Sequence, residues 1–198
     1  MYGLAQTSGP AVEPVTLAEQ KTHMRVSHSS EDLYISALIK AAREWCEAAT
    51  GRQLITATWK LTLPSFVYTR PDRPHILLPR PPLQSVSGVT YLDADGVRQT
   101  LSSSVYQAHI DTLPGYVRLK YNQSWPTIRP EEGCVEITYL AGYGAASASV
   151  PECARSAIMI VAAHLYEYRE AVTFGQQAFP IPSHYKDLIS TIAVSEAA

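Results

Sequence analysis

Between Ala154 and Tyr168 apolar side chains occupy nearly every face of what reads as one helix, with Ala157 to Ala163 unbroken. A helix of that pattern cannot be covered by a single amphipathic contact. The spacing therefore predicts that other helices of the chain, or other subunits, enclose it. Ser149-Val150-Pro151-Glu152 reads as its start, a capping box with a proline tolerated in the first turn, and the helix is expected to run to about Glu170. The apolar run falls well short of the roughly 18 to 20 residues that cross a bilayer, so no membrane partner is expected.

The rest of the chain supplies candidates for that cover. Thr16-Leu17-Ala18-Glu19 is a capping box opening a short helix that should end near Arg25. A second helix is expected after Ser29 or Ser30, with Glu31 and Asp32 in its first turn and Gly51 closing it. Its apolar stripe is expected to comprise Ile35, Leu38, Ala42, Trp45 and Ala49. After Gly175 and Pro180 a last short helix is predicted over roughly Ser183 to Ala193, carrying Tyr185, Leu188, Ile189 and Ile192. Residues 1–14 read as an irregular arm.

Between these helices the period changes. Ile55, Ala57, Trp59, Leu61 and Leu63 alternate with Thr56, Thr58, Lys60 and Thr62, the mark of a strand with one buried face. Further strands are predicted over Ile76–Leu78, Val86–Leu92, Val97–Leu101, Tyr106–Ile110, Tyr116–Leu119 and Cys134–Leu140, with Asp95-Gly96 as a hairpin turn. Pro64, Pro71, Pro74, Pro79, Pro81, Pro82, Pro114, Pro126 and Pro130 suit short antiparallel strands and edges better than a parallel sheet. The expected class is α+β: a bundle of N- and C-terminal helices with a β-rich antiparallel insertion. Its parts are 1–52, an arm and two helices; 53–144, the insertion; and 145–198, the long central helix and C-terminal segment.

Composition narrows the function. The 16 basic and 18 acidic residues of this 198-residue chain leave a formal net charge of -2, so no global positive field exists to grip nucleic acid by its phosphates. Cys46, Cys134 and Cys153 are odd in number and lack any CxxC spacing, which favours buried thiols over disulfides or a zinc site. Met1 to Pro14 has no basic start followed by an apolar stretch, so the chain is expected in the cytoplasm where it is made.

Chemical motifs are incomplete. Gly142-Tyr143-Gly144 lacks the third glycine and second parallel strand of a dinucleotide site and reads as a strand-to-helix turn. Asp93-Ala94-Asp95-Gly96 begins like a calcium loop, yet no closing glutamate follows, leaving a hairpin turn. His164 and Glu167 lie one turn apart without a matching pair on another helix, so a packing histidine is favoured over a metal ligand. Neither HExxH nor GxSxG occurs. No catalytic residue, cofactor or metal is expected. The 12 tyrosines and 3 tryptophans against 3 phenylalanines suit interfaces, because each pairs contact area with a polar tip.

The local motifs, taken in order, resemble the head-to-tail connector, or adaptor, proteins of long-tailed bacteriophages and phage-derived gene transfer particles. The residues carrying the resemblance begin with Thr16-Leu17-Ala18-Glu19, Ala42-Arg43-Glu44, Thr50-Gly51-Arg52, Leu54-Ile55-Thr56 and Leu78-Pro79-Arg80-Pro81-Pro82-Leu83. They continue through Ser124-Trp125-Pro126, Arg129, Ala141-Gly142-Tyr143-Gly144, Val150-Pro151, His164-Leu165-Tyr166-Glu167 and Arg169-Glu170, and fade after Ala171.

The resemblance implies a structural virion protein at the neck, beneath the portal vertex. It implies a ring of about twelve copies closed by heterologous contacts. Its partners would be the portal protein and a stopper or tail-side connector, with DNA passing through the lumen without specific binding. Tyr166, Glu167, Arg169, Phe174, Phe179, Tyr185, Leu188 and Ile192 are the candidate interface residues, and the segment after Ala171 is expected to reach the portal. Another neck or tail-completion protein, a stopper or tail terminator, is the alternative reading, followed by a hydrolase with a scattered site.

Overall fold

Alternating strand residues and helical stripes sort into two compact units, Met1–Ala11 with Thr56–Tyr143 and Val12–Ile55 with Gly144–Ala198. The computed structural model describes residues 2–66, 75–129, 131–169 and 184–194.

The first unit is built from β1 (Gly3–Ser8), β2 (Ala57–Leu63), β3 (His75–Leu77), β4 (Leu83–Leu92), β5 (Arg98–Thr100), β6 (Tyr106–His109), β7 (Tyr116–Leu119) and β8 (Val135–Ala141). A five-stranded sheet runs β1-β2-β8-β4-β5 and a three-stranded sheet β3-β7-β6. Every pairing within them is antiparallel, as the prolines suggested. Central β8 buries Val135, Ile137, Tyr139 and Ala141 alternately. These pack with Leu61, Leu63, Ile76, Leu78, Val89 and Val117. Burial pushes the Tyr139 phenol well above its usual range, and its hydroxyl donates to the Pro79 carbonyl at 2.9 Å.

The irregular arm expected at the start of the chain is in part a strand. Gly3 pairs with Thr62, Leu4 with Leu61 and Gln6 with Trp59. Its side chains stay largely exposed, so main-chain bonding to the sheet edge, rather than any apolar pattern, makes it a strand. Ile55, grouped with β2 by alternation, instead bridges in parallel to Gly144 within the second unit. At the hairpin after β4 the Asp93 carboxylate accepts from the amides of Asp95 and Val97, at 3.1 and 2.8 Å, and from Gln99 Nε2 at 2.8 Å. Gly96 supplies φ 82°, so this acidic loop is a turn whose ligand-like oxygens are already engaged.

The second unit contains α1 (Leu17–Met24), α2 (Asp32–Thr50), α3 (Glu152–Glu167) and α4 (His184–Ser190). The α1 capping box forms: Thr16 Oγ1 accepts from Glu19 N at 3.2 Å, and Glu19 Oε2 accepts from Thr16 N at 2.8 Å. Two other starts differ from expectation. Glu31, not Ser29 or Ser30, is the N-cap of α2, and no side chain bonds there. Ser149 ends a 3-10 turn, Pro151 is the N-cap of α3, and no capping box closes. A Cβ on Gly144 would lie 2.4 Å from Ser149 Oγ, so that hydroxyl is packed over the glycine.

The buried stripe of α2 also differs: Ile35, Ile39, Ala42, Arg43, Cys46, Glu47 and Thr50 face inward. Leu38 and Trp45 are only half-buried and Ala49 is exposed. The shift arises because a charged pair sits in the packed face. Arg43 Nη1 lies 2.7 Å from Glu47 Oε2, and Arg43 Nε 2.7 Å from Glu13 Oε2. Glu47 Oε1 accepts from Gln53 Nε2 at 2.6 Å and Leu54 N at 3.0 Å.

Within this unit α3 buries one stripe, Ala154, Ala157, Ile158, Val161 and Ala162. Gln20 of α1, wholly buried, donates to the Met159 carbonyl at 3.1 Å. Met159, Ile160, Ala163 and Leu165 are half-buried, so the chain alone leaves part of the apolar helix uncovered. The helix stops at Glu167, short of Glu170. Among the described residues no helix is long and apolar enough to cross a membrane.

Candidate functional site

The N-terminal end of α2 and the C-terminal end of α3 meet in a compact aromatic and charged cluster. The Tyr166 hydroxyl donates to Glu31 Oε2, and Arg169 Nη2 lies 2.5 Å from Glu31 Oε1. The Arg169 guanidinium stands over the rings of Tyr34 and Tyr166, at 4.7 and 5.2 Å from their centroids. The two rings are tilted, 6.2 Å apart. The bond from Tyr166, reinforced by Arg169, holds the Glu31 carboxyl below the usual carboxylate range. The same bond raises the Tyr166 phenol. Such a cluster sets aromatic faces beside a charged group, side-chain types that are enriched at protein interfaces in general.

Tyr166 and Arg169 are thus brought together, while Glu31 and Tyr34 join them unforeseen. Glu31 had read only as a dipole-compensating first-turn residue. Its partners lie 135 and 138 positions along the chain, and no local spacing reveals them. Glu167 is exposed at the same helix end. The His164 ring rests against Tyr168 at 4.9 Å, and among the described residues no three histidines, cysteines or acids gather as metal ligands.

The α4 candidates sit elsewhere. Arg52 Nε donates to the Ile192 carbonyl, and Val194 N donates to Thr50 O at 2.9 Å, so the end of this segment seals the C-terminal end of α2. Glu31 and Thr50 bracket the 19-residue helix, about 28 Å long at 1.5 Å per residue. The expected interface residues therefore occupy two places on the helical unit. Leu188 and Ile192 are half-buried, and Ile189 beside them is buried. Phe174, Phe179 and the side chain of Tyr185 lie outside the described residues.

The chain thus combines a unit of antiparallel sheets with a helical unit that carries a surface cluster of rings and ion pairs. The chain matches the head completion protein family over residues 13–184 and belongs to that family. This is a family of structural proteins, not of enzymes. No curated protein matches the chain.

Solved structures share its fold. A chain described as "Neck of empty GTA particle computed with C6 symmetry" aligns with TM-score 0.81 at 23% identity, covering 99% of this chain and 97% of that one. A second, from the "Virion of native gene transfer agent (GTA) particle", gives TM-score 0.77 at 23% identity over 98% and 97%. A third, "Neck of native GTA particle computed with C12 symmetry", gives 0.79 at 22% identity over 99% and 97%.

Proposed function

We propose that this chain is the adaptor subunit of a particle neck. Copies of it close into a ring beneath the capsid portal, joined on the far side to a stopper or tail-side connector, with the lumen continuing the DNA channel. The observation that carries this reading is the alignment of nearly the whole chain, 99%, onto a neck chain at TM-score 0.81. The C6 and C12 symmetries of those necks support a closed ring, and the resemblance supports about twelve copies. A formal net charge of -2 suits a lumen through which DNA slides without being held.

In this reading the helices of 1–52 and 145–198 form the bundle, 53–144 is the β-rich insertion, and the segment from about Ala171 to Ala198 reaches the portal. The portal contact includes Tyr166, Glu167 and Arg169 and continues through Phe174, Phe179, Tyr185, Leu188 and Ile192. The partly uncovered α3 finds its remaining cover against neighbouring copies.

The test mixes the purified chain with isolated portal and measures added mass, then images the portal vertex of particles containing it. Added mass in a ring directly beneath the portal is expected. Binding to tail components with none to portal would instead make it a stopper or tail terminator. Truncation at Ala171 is a blunt version of this test, since it also removes buried Ile189 and the carbonyl that Arg52 uses.

A further inference from the structure

Two of the three cysteines lie on helices of the same unit, Cys46 on α2 and Cys153 in the first turn of α3. Three contacts set the register of these antiparallel helices. At one end Tyr166 of α3 bonds to Glu31, the N-cap of α2. Further along, one short stretch ties both helices, since Glu13 holds Arg43 at 2.7 Å and the adjacent Pro14 carbonyl accepts from Arg155 Nε at 3.1 Å. Just past the C-terminal end of α2, Ile55 bridges to Gly144, which precedes α3. Cys46 follows Arg43 by three residues and Cys153 precedes Arg155 by two. Measured from the Glu31–Tyr166 bond, the cysteines lie about 22 and about 20 Å along their helices, level to within about 3 Å.

Both cysteines border packed faces. Cys46 is wholly buried in the inward stripe of α2, one turn from Ala42. Cys153 is half-buried and stands one turn before wholly buried Ala157. Small residues at these positions let two helix axes approach closely. The thiols also sense each other: burial pushes the Cys46 thiol up to about 12, and Glu47 and then Cys153 add to the rise. Cys134 differs on each point. It belongs to the β-rich unit, and its buried Sγ donates to the Pro64 carbonyl at 2.9 Å.

We infer that Cys46 and Cys153 form a redox pair, which a peroxide joins as a disulfide stapling α2 to α3. Cys153, the reachable thiol, reacts first. Its thiolate attacks one peroxide oxygen, an S–O bond forms as the O–O bond breaks, and the departing hydroxide takes a proton and leaves as water. The Cys46 thiol then gives up its proton and attacks the Cys153 sulfenic acid, forming S–S as S–O breaks and releasing a second water. Two thiols together lose two electrons, and one hydrogen peroxide is reduced to two waters. Because the Cys46 thiol is buried and held protonated, the second step is slow and quickens as pH rises. The loop so closed contains all of residues 56–143, which removes freedom from the unfolded chain. One consequence rests on the neck reading above: a subunit built in a reducing cytoplasm gains the staple only when its particle meets an oxidising medium.

The test treats the purified full chain with hydrogen peroxide, with and without dimedone to trap sulfenic acid, and maps the cysteines by mass spectrometry without reduction. With dimedone, an adduct confined to Cys153 is expected. Without it, a linked Cys46–Cys153 peptide should form within one chain while Cys134 keeps its thiol. The urea midpoint should rise with the link, and dithiothreitol should reverse both. In Cys153→Ser, whose circular dichroism spectrum should match wild type, Cys46 should keep its thiol and peroxide should leave the midpoint unmoved.

Survival of all three thiols, oxidation of Cys153 beyond sulfenic acid with no link to Cys46, a Cys153–Cys153 link between two copies, or loss of the Cys46 thiol in Cys153→Ser would each overturn the pair. None of these outcomes bears on the neck reading, which is judged separately by whether particles show a ring of this chain at the portal vertex.

Discussion

Arg43 and Glu47 form a buried ion pair one turn apart on α2, with Nη1 and Oε2 separated by 2.7 Å and side chains 5% and 10% exposed. The pair ties three stretches of the helical unit together, because Glu13 also reaches Arg43 while Gln53 and Leu54 reach Glu47. Removing one partner leaves the other charge buried. Arg43→Ala is expected to lower unfolding stability by about 3–5 kcal/mol. Urea denaturation of the two proteins checks this, and a loss below about 1 kcal/mol would show that the pair is not desolvated as described.

The Thr16–Glu19 capping box predicts an acid response. The Thr16 amide and hydroxyl, then Arg155, hold the Glu19 carboxyl below its ordinary value of 4.5. A depressed folded value contributes stability above the unfolded value and loses it as pH falls through the folded one. Wild type should therefore lose urea resistance between about pH 7 and about pH 3, and Glu19→Gln should show a smaller loss over the same interval. Asp93 and Glu31, held low first by Gln99 and Tyr166 respectively, add to the loss that remains in that variant. Thr16→Ala should cost about 1 kcal/mol at neutral pH by removing the cap. Equal acid sensitivity in wild type and Glu19→Gln would contradict the assignment.

Gly144 and Ser149 constrain each other at the turn into α3. An added methyl at Gly144 would meet Ser149 Oγ at 2.4 Å and Ser149 Cβ at 2.6 Å. Gly144→Ala is expected to destabilise by about 1–3 kcal/mol. Ser149→Gly in the same chain should recover most of that loss, and a double-mutant cycle measures the recovery. Simple additivity of the two changes would place the crowding elsewhere.

Arg169 and Glu31 separate an interface role from a stabilising one. Their ion pair is largely solvent-facing, with side chains 51% and 27% exposed, so Arg169→Ala should leave the urea midpoint nearly unchanged. If the cluster contacts the portal as proposed, the same variant should lose most of its capture by immobilised portal. Unimpaired capture together with unchanged stability would remove Arg169 from the interface.

Features encoded within a few residues are legible in the sequence. The Thr16–Glu19 box, the Asp95-Gly96 turn, the Gly51 stop and the alternation of Ala57 through Leu63 each depend on neighbours in sequence. The features that differ from local expectation have distant causes. The α2 stripe differs from the apolar one because Arg43 and Glu47 are buried in it, with Glu13, Gln53 and the Leu54 amide as their partners. Their four-residue spacing was a visible sign of pairing, but nothing local announced its burial. The Ser149 box does not form because the chain makes a 3-10 turn over Ser147–Ser149 and α3 begins only at Glu152, with Pro151 as its N-cap. β1 was missed because an edge strand bonded through its main chain needs no apolar alternation.

By itself the sequence determined that this chain would be an antiparallel α+β protein with an over-apolar helix after Ser149, and its ordered motifs already pointed to the connector proteins. Periodicity, capping and turn chemistry are local properties, which is why they sufficed. Only tertiary structure decided that α3 buries one stripe, that Glu31 and Tyr34 gather around Tyr166 and Arg169, and that Ile192 answers Arg52 at the other end of α2. Contacts across more than a hundred residues are set by how apolar faces pack, and that packing has no signature within a single stretch of chain.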